Sequence, residues 1–478
     1  MHRDIYLQEC FGVKDLHLIS STTKIIFAKK RGQPQSYDPL KDPKVEKKTV
    51  LEYELVYDGE IPEFCPKCNI ELNKYGTRDI RIAATPNLGH ITSLHITYPR
   101  RRCPHCHRMW QPKLEGVDGS RRVTEAAFAD IAQRSLYLTF RDVAREYPIT
   151  HATVKNIFEG YVSLYRKHLQ FKVPTFLGID EKYFQRIGFV TVITDLEHRT
   201  VFDLIEGRTE EVLDEYFKNL PGRENIQWVC SDMYRFFWKS IARHTFNATW
   251  VIDHFHVVKA ANEAVDAVRK ALQGNKDKQG RLTLKKGYAG ALRRRTKDMG
   301  PEEAATIRMI RSDPNLKDLI TAFDLKEDFY DIYDQNPNSR EDAQAAFEQW
   351  ENSIPSDEIF EPFRKLAGTV HHYYDFIFNW WICPVRISNG YTECANRLIN
   401  EIDLKGRGYS FEVLRARTLY RKQNLEKIIA SNGATIGPRI DIAGSLFMTE
   451  PDSSIKVTDT GCAVDAETGE IIYDAHQK

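Results

Sequence analysis

The stretch PTFLGIDEKYF, residues 174–184, decides how this chain reads. An apolar run of strand character ends in two adjacent acids, Asp180 and Glu181. A carboxylate at the mouth of a buried strand is costly unless a metal ion or a partner charge compensates it. Downstream, FVTVITDLEHRTVFDLI stays strand-like and TEEVLDEYFKNL turns to a helical period. IQWVCSDMY, RFFWKSIARHTF and TWVIDHFHVV then read as strand, helix and strand. Three meandering strands followed by alternating helix and strand predict a mixed sheet with helices on its faces. Residues 261–370 lose the strand signal and read as wholly helical. Residues 390–430 read as one or two helices around GRGYS.

Two more acids belong with Asp180. Asp232 follows a strand in VCSDMY, and neighbouring strands can bring the two carboxylates to one sheet end. Glu393 lies near the start of a helix in SNGYTECANRLINEI, with Asn396 one turn further on. Three carboxylates converging on hard divalent cations are what in-line phosphoryl transfer needs. VIDHFHVV adds Asp253, an alternative ligand to Asp232, and His256, which could orient a phosphate or a base. Glu181 and Asn396 complete the accessory candidates. A lone strand-end aspartate more often caps a turn, so the triple takes its weight from its setting.

That setting begins with the cysteines. Cys65, Cys68, Cys103 and Cys106 form two CxxC pairs with 34 residues between them. Each pair can share one metal, and two such knuckles close a tetrahedral four-thiolate zinc site. The intervening residues alternate like a hairpin, so a zinc ribbon is predicted. Its role is structural, because four protein ligands leave no open position. Arg101 and Arg102, in RRRCPHCHRMW, would face phosphate beside the second knuckle.

LTFRDVAREYPITHATVKNIFEGY, residues 138–161, reads as a helix-turn-helix. Val143, Ala144 and Tyr147 pack a first helix inward, Pro148 and Ile149 turn the chain, and Thr150 caps a second helix that Val154 and Ile157 bury. Arg141, Thr150, His151, Thr153, Lys155 and Asn156 are left as polar or basic contacts of the kind that reach phosphates and base edges.

Composition sets the outer bounds. A chain of 478 residues is too long for one core, so two to four domains are expected. No apolar run reaches the roughly 18 residues of a membrane span. MHRDIYLQEC lacks the apolar centre of a signal peptide, so a cytoplasmic protein is expected. Nine cysteines, only four of them paired by spacing, fit a reducing compartment with one metal site. The net charge of +1 hides a segregation of charge. Residues 269–297 carry eleven Lys or Arg against one acid, and the segment from 437 carries eight acids against three bases. Basic faces for a polyanion and an acidic tail are expected.

Six ordered motifs resemble transposases of the ISL-three family within the wider DDE group. They are CPKC with CPHC, the helix-turn-helix, GIDE, SDMY, VIDHFHVV, and NGYTECANRLIN with GRGYSFEVLRAR. The resemblance covers roughly residues 50–425. It implies an RNase H-like catalytic domain with an all-helical insertion before the final Glu, and DNA strand cleavage and joining at element ends. It maps the catalytic triad and its Mg2+ or Mn2+ ligands to Asp180, Asp232 and Glu393, and sets the Asp253–His256 motif beside them. No protein nucleophile is expected.

The expected layout is multidomain α+β. Residues 1–60 are strand-rich, 61–115 form the zinc ribbon and 120–170 the helix-turn-helix domain. Residues 174–260 and 371–430 make the two parts of the catalytic core, split by the helical insertion 261–370. Residues 437–478 form a small extension containing a hairpin. Expected partners are double-stranded DNA, as terminal inverted repeats and target, and a second copy of the chain in a dimer or higher oligomer. The expected place is the bacterial cytoplasm, at the nucleoid. Residues 269–297 and 405–422, including Lys405 and Arg407, would hold phosphates. A repressor with an inactive core and a structure-selective nuclease are the rival readings.

Overall fold

The computed structural model describes residues 10–27, 47–233, 235–274, 287–335, 339–431 and 433–436, and short strands at 455–457, 463–465 and 471–473. Most of the Pro- and Lys-rich stretch 31–48, residues 275–286 of the basic segment, and most of the acidic tail lie outside the described residues. The three tail strands pair antiparallel, where a hairpin was expected. The chain divides into two compact units. One runs to Gln170 and includes the residues from Ala434; the other is Phe171–Gly433.

In the first unit seven strands form one sheet: β1 (Leu16–Phe27), β2 (Lys47–Tyr57), β3 (Asn73–Asn87), β4 (His90–Arg102), β5 (Met109–Trp110), β6 (Val117–Asp118) and β7 (Val123–Thr124). Their order is β1-β2-β4-β3-β7-β6, with β5 on β4. β3 and β4 are the hairpin between the cysteine pairs. β2 runs parallel to β4, Val50 opposite Ile91 through Val56 opposite Thr97. Ile82 and Ala84 on β3, and Leu94, Ile96 and Tyr98 on β4, fall at every second position and build the buried face.

Three helices follow, α1 (Glu125–Arg134), α2 (Phe140–Ala144) and α3 (His151–His168). Each starts at a threonine whose hydroxyl accepts a backbone N–H in the first turn: Thr124 from Ala127, Thr139 from Asp142, Thr150 from Thr153. Val143, Tyr147, Val154 and Ile157 are buried, as the pattern predicts, and Phe158, Tyr161 and Tyr165 extend that stripe. A short strand, β8 (Leu169–Phe171), follows.

The second unit is built on a five-stranded mixed sheet: β9 (Phe176–Phe184), β10 (Gly188–Asp195), β11 (Thr200–Glu206), β12 (Trp228–Ser231) and β13 (Thr249–Ile252). The order is β11-β10-β9-β12-β13. The first three strands meander antiparallel, and β12 and β13 run parallel to β9. Helices α4 (Glu210–Asn219) and α5 (Arg235–His244) make the crossovers.

One expectation needs correction. HFHVV does not continue the strand TWVI; the helix α6 (His254–Gly274) starts there. Its buried residues, Val257, Val258, Ala261, Ala264, Val265 and Val268, recur at the helical period and override the local strand propensity of FHVV.

The described residues between 289 and 378 form helices: α7 (Ala289–Arg293), α8 (Pro301–Ser312), α9 (Lys317–Gln335), α10 (Arg340–Ser353), α11 (Glu361–His372) and α12 (Tyr374–Phe378). Phe329, Phe347 and Trp350 from this region, and Trp381 just after it, share one hydrophobic cluster with Leu177, Ile179, Val229 and Val251 of the sheet. Residues 390–430 hold three helices rather than one or two: α13 (Gly390–Gly406), α14 (Phe411–Leu419) and α15 (Lys422–Ala430). Asn424 makes the extra break. Its amide donates to the Leu419 and Val201 carbonyls and its oxygen accepts from Val201 N–H, so the chain turns at the edge of β11. Among the described residues no helix is long and apolar enough to cross a membrane.

Candidate active site

Strand register places the acids. Ile179 of β9 lies opposite Ser231 of β12, and Ser231 opposite Ile252 of β13. Asp180, Asp232 and Asp253 are the next residues in each case, so they stand in one row across three adjacent parallel strands, Asp232 and Asp253 just past the ends of β12 and β13 and Asp180 midway along β9, which runs on to Phe184 instead of ending at the acids. Ligand atoms of Asp180, Glu181 and Asp232 lie within 4.8 Å of one another, and those of Asp253, His256 and Glu393 form a second such group. The predicted acids therefore come together as two groups, with Glu393 in the one that holds Asp253. The groups sense each other: the charges of Asp232 and Glu393 act on Asp180, and those of Asp180 and Asp232 act on His256.

Helix α13 delivers Glu393 through contacts that its own motif supplies. Asn389 donates from Nδ2 to the Ile179 carbonyl at 2.9 Å, and its Oδ1 accepts from the Thr392 hydroxyl at 2.7 Å. The Thr392 and Thr194 hydroxyls bond at 2.7 Å in the core. Asn396 donates from Nδ2 to Asp180 Oδ2 at 2.7 Å. Gly178 makes this docking feasible, because a Cβ there would lie 2.5 Å from both threonine hydroxyls. Sequence reasoning missed Gly178 and Thr392; a glycine inside a strand pattern was the available signal for close approach.

Burial, then the backbone N–H of Glu181 in opposition, then the Asp232 and Glu393 charges set the Asp180 carboxyl, with a net rise to about 6. Burial and Asp232 also raise Glu181, although Arg208 donates to its Oε1 at 2.9 Å. Asp253 behaves oppositely. Burial pushes it up, but the His254 and His256 imidazoles, at 3.6 and 3.4 Å, hold it down near 2. Asp253 in turn raises His256 against the opposing effect of burial. Glu181 Oε2 and both Asp253 carboxylate oxygens are buried without a hydrogen-bond donor. Hard oxygen donors left open in this way fit a divalent cation.

The four cysteines form a separate group in the first unit. Their sulfurs lie within 4.8 Å of one another, with Cys65 Sγ and Cys106 Sγ 3.7 Å apart. Tetrahedral thiolates at the usual Zn–S length stand about 3.8 Å apart, so the donor set fits zinc. Each knuckle closes the same way. Asn69 N–H bonds the Cys65 carbonyl with Asn69 at φ 52°, and His107 N–H bonds the Cys103 carbonyl with His107 at φ 59°.

The remaining predicted contacts fare unequally. Arg141, His151, Lys155 and Asn156 are exposed and Thr153 is half-buried. Thr150 is committed to its cap, and Asn156 Oδ1 accepts from Arg121 Nε at 3.0 Å. Arg102 joins Arg100 around the Tyr75 ring, whereas Arg101 reaches the Leu72 carbonyl. Lys405 and Arg407 are exposed at the end of α13. The described bases of segment 269–297 pair with acids. Arg269 bonds Asp266, Arg294 pairs with Glu303, and Arg295 and Lys297 pair with acids of α9. Arg415 likewise grips Asp203 with two nitrogens. Arg269 and Arg295 are largely buried in these pairs, whereas Arg294 and Lys297 stay 60% and 58% exposed.

The sequence profile of the ISL-three family of DDE transposases, described simply as transposase, matches residues 177–418, just over half of the chain. The protein belongs to this transposase family. No curated protein sequence matches it.

Proposed function

We propose that the protein binds the terminal inverted repeats of an insertion sequence and catalyses metal-dependent DNA strand cleavage and strand transfer. The observation that carries this reading is the row of Asp180, Asp232 and Asp253 on adjacent parallel strands, with Glu393 brought beside it by α13. The strand order β11-β10-β9-β12-β13, with the helical insertion before Glu393, supports an RNase H-like core.

Asp180, Asp232 and Glu393 would hold two Mg2+ or Mn2+ ions, which when bound supply nucleophile activation and charge neutralisation at the phosphate. Asn396 Nδ2 holds Asp180 Oδ2 and the Glu181 N–H holds Oδ1, so the carboxylate is fixed in place. Asp253 favours the charged form of His256 and so offers a cation to a phosphate oxygen. Glu181, restrained by Arg208, is the reserve carboxylate of the first group. No protein nucleophile is assigned: water cuts the strand, and the freed 3′-hydroxyl attacks target DNA.

Cys65, Cys68, Cys103 and Cys106 would hold one structural Zn2+. Helices α2 and α3 read as a helix-turn-helix that presents His151, Lys155 and Asn156 to DNA, with Arg141 and Arg102 on the backbone. Lys405 and Arg407, at the opposite end of α13 from Glu393, extend the phosphate contacts away from the acids. Joining two ends calls for at least two copies of the chain.

The test is cleavage and joining of DNA carrying the element's own ends in Mg2+, with wild type, Asp180→Ala, Asp232→Ala and Glu393→Ala. Each variant should bind the ends and lose cleavage by at least about 1,000-fold. Variants that cut like wild type would remove the triad. Wild type that binds without cutting would make the protein a repressor, and cutting without joining would make it a nuclease.

A further inference from the structure

Arg121 is a base of the first unit that the proposed function leaves unused. It lies in the turn between β6 and β7. Nη1 donates to Asp118 Oδ2 at 2.7 Å. Asp118 Oδ1 is itself held, accepting from the Ser120 N–H, the Ser120 hydroxyl and the Arg121 N–H. The guanidinium carbon lies 5.4 Å from the centre of the Phe128 ring on α1. Nε reaches α3 and donates to Asn156 Oδ1 at 3.0 Å. Gly160, one turn further along α3, leaves room for this: a Cβ there would lie 2.8 Å from Arg121 Nη2. The contact is thus built from the turn and two helices, not from two loose surface side chains.

The consequence falls on Asn156. Its side chain is exposed, as are those of Ala152, Lys155 and Glu159 one turn away on α3. A free asparagine offers a base edge one acceptor and one donor, and so pairs with adenine at N6 and N7. Here a cation holds the oxygen, and a reversed amide would set N–H against N–H. The amide nitrogen donates to no described residue and is the end left for DNA. In the major groove guanine presents O6 and thymine O4, where adenine and cytosine present amino groups. An N–H donor suits the first two and opposes the others. Adenine would have to share an oxygen that Arg121 already holds. The amide is set before DNA arrives, so little freedom is lost on binding.

We infer that Arg121 makes Asn156 a donor-only reader, so that α3 selects a keto base, guanine or thymine, at the position Asn156 meets. Asn156 touches the base and Arg121 is a positioning residue. This rests on the helix-turn-helix reading above and deepens it.

The experiment uses the full-length protein in Ca2+ and duplex pools of the terminal repeat that flanks this reading frame, randomised along its length. The bound duplexes are sequenced. Wild type should favour guanine or thymine over adenine and cytosine by about 5-fold or more at one position, the lower end of what one base contact discriminates. Asn156→Ala should lose the preference at that position alone. Asn156→Asp replaces the free donor with an acceptor and should invert the preference toward cytosine or adenine. Arg121→Ala frees the oxygen and should move the preference to adenine. Each preference is a ratio within one pool, so a general loss of affinity does not imitate it. Asn156→Asp alters only an exposed side chain and carries the test if Arg121→Ala does not fold. Arg121→Ala that binds more weakly with the wild-type preference would overturn the inference, leaving Arg121 a fold or phosphate contact. An Asn156→Asp preference still for keto bases, or an Asn156→Ala pool unchanged at every position, would overturn it too. Wild type that selects no sequence at all would sink the end-binding reading, and the inference with it.

Discussion

The two clusters of metal-type side chains are assembled in opposite ways. The thiolate cluster is local: each CxxC pair sits on its own turn, and both turns close with the same left-handed residue, Asn69 or His107. One hairpin is enough to bring the turns together. The carboxylate row is global: Asp180, Asp232 and Asp253 meet only because three strands share a register. Glu393 arrives on a helix more than a hundred residues later in the chain. On the reading proposed above, the thiolate site would use all four ligands on one ion and so hold a fold. The carboxylate site keeps buried oxygens without donors, which is a cost unless function uses them.

The largest effect expected from testing that contrast lies in the thiolates. Cys103→Ser removes one of four ligands from a site whose apparent zinc binding, by analogy with zinc-finger peptides, is worth about 10–16 kcal/mol and is also folding energy. The variant should purify without zinc and be cut by protease between residues 61 and 115, while Mn2+ binding by the carboxylates persists. Zinc content by atomic absorption, read beside Mn2+ titration, checks both halves. If Cys103→Ser keeps a full zinc equivalent, the cluster is not the closed site that its spacing suggests.

The same contrast explains what the sequence could and could not reveal. The cysteine knuckles, the threonine cap at Thr150 and the buried stripe of Val154 and Ile157 depend on residues a turn or two apart, and they read directly. The acids could be named from strand ends, but their grouping could not. Nothing local says that Asp253 shares a level with Asp232, or that Glu393 falls in with Asp253 and His256 rather than with Asp180. Basic segments show the same limit of local reading. Arg294, Arg295 and Lys297 look like a phosphate surface until Glu303 and the acids of α9 fold against them. Charge counts along a chain do not say where the opposite charges will be.

Gly178 tests the global half of the comparison. Gly178→Val places methyl groups where the Thr194 and Thr392 hydroxyls already sit 2.5 Å from an added Cβ. Overpacking of this kind costs about 1–3 kcal/mol. Helix α13 should shift away from β9, carrying Glu393 with it. The expected result is a lower unfolding midpoint together with a loss of DNA cleavage larger than the loss of stability explains. Thermal melting and a cleavage time course measured below the melting range separate the two. A variant that melts lower but cuts normally would show that Glu393 does not depend on this docking.

The smallest effect belongs to the local half. Thr150 Oγ1 accepts from the Thr153 N–H and lies 3.0 Å from the Thr153 hydroxyl, so it satisfies a donor that the first turn of α3 cannot. Thr150→Ala should cost about 1 kcal/mol, the usual worth of such a cap. Thr150→Ser keeps the oxygen and should cost little, whereas Thr150→Ala should fray the turn that holds His151 and Thr153. If α3 enters DNA, that fraying should weaken end binding several-fold without changing the cleavage rate of bound ends. Binding by fluorescence anisotropy and single-turnover cleavage at saturating protein read the two quantities separately. Equal binding by Thr150→Ala and wild type, with the stability loss present, would take the start of α3 out of the DNA interface and leave its threonine as a folding device.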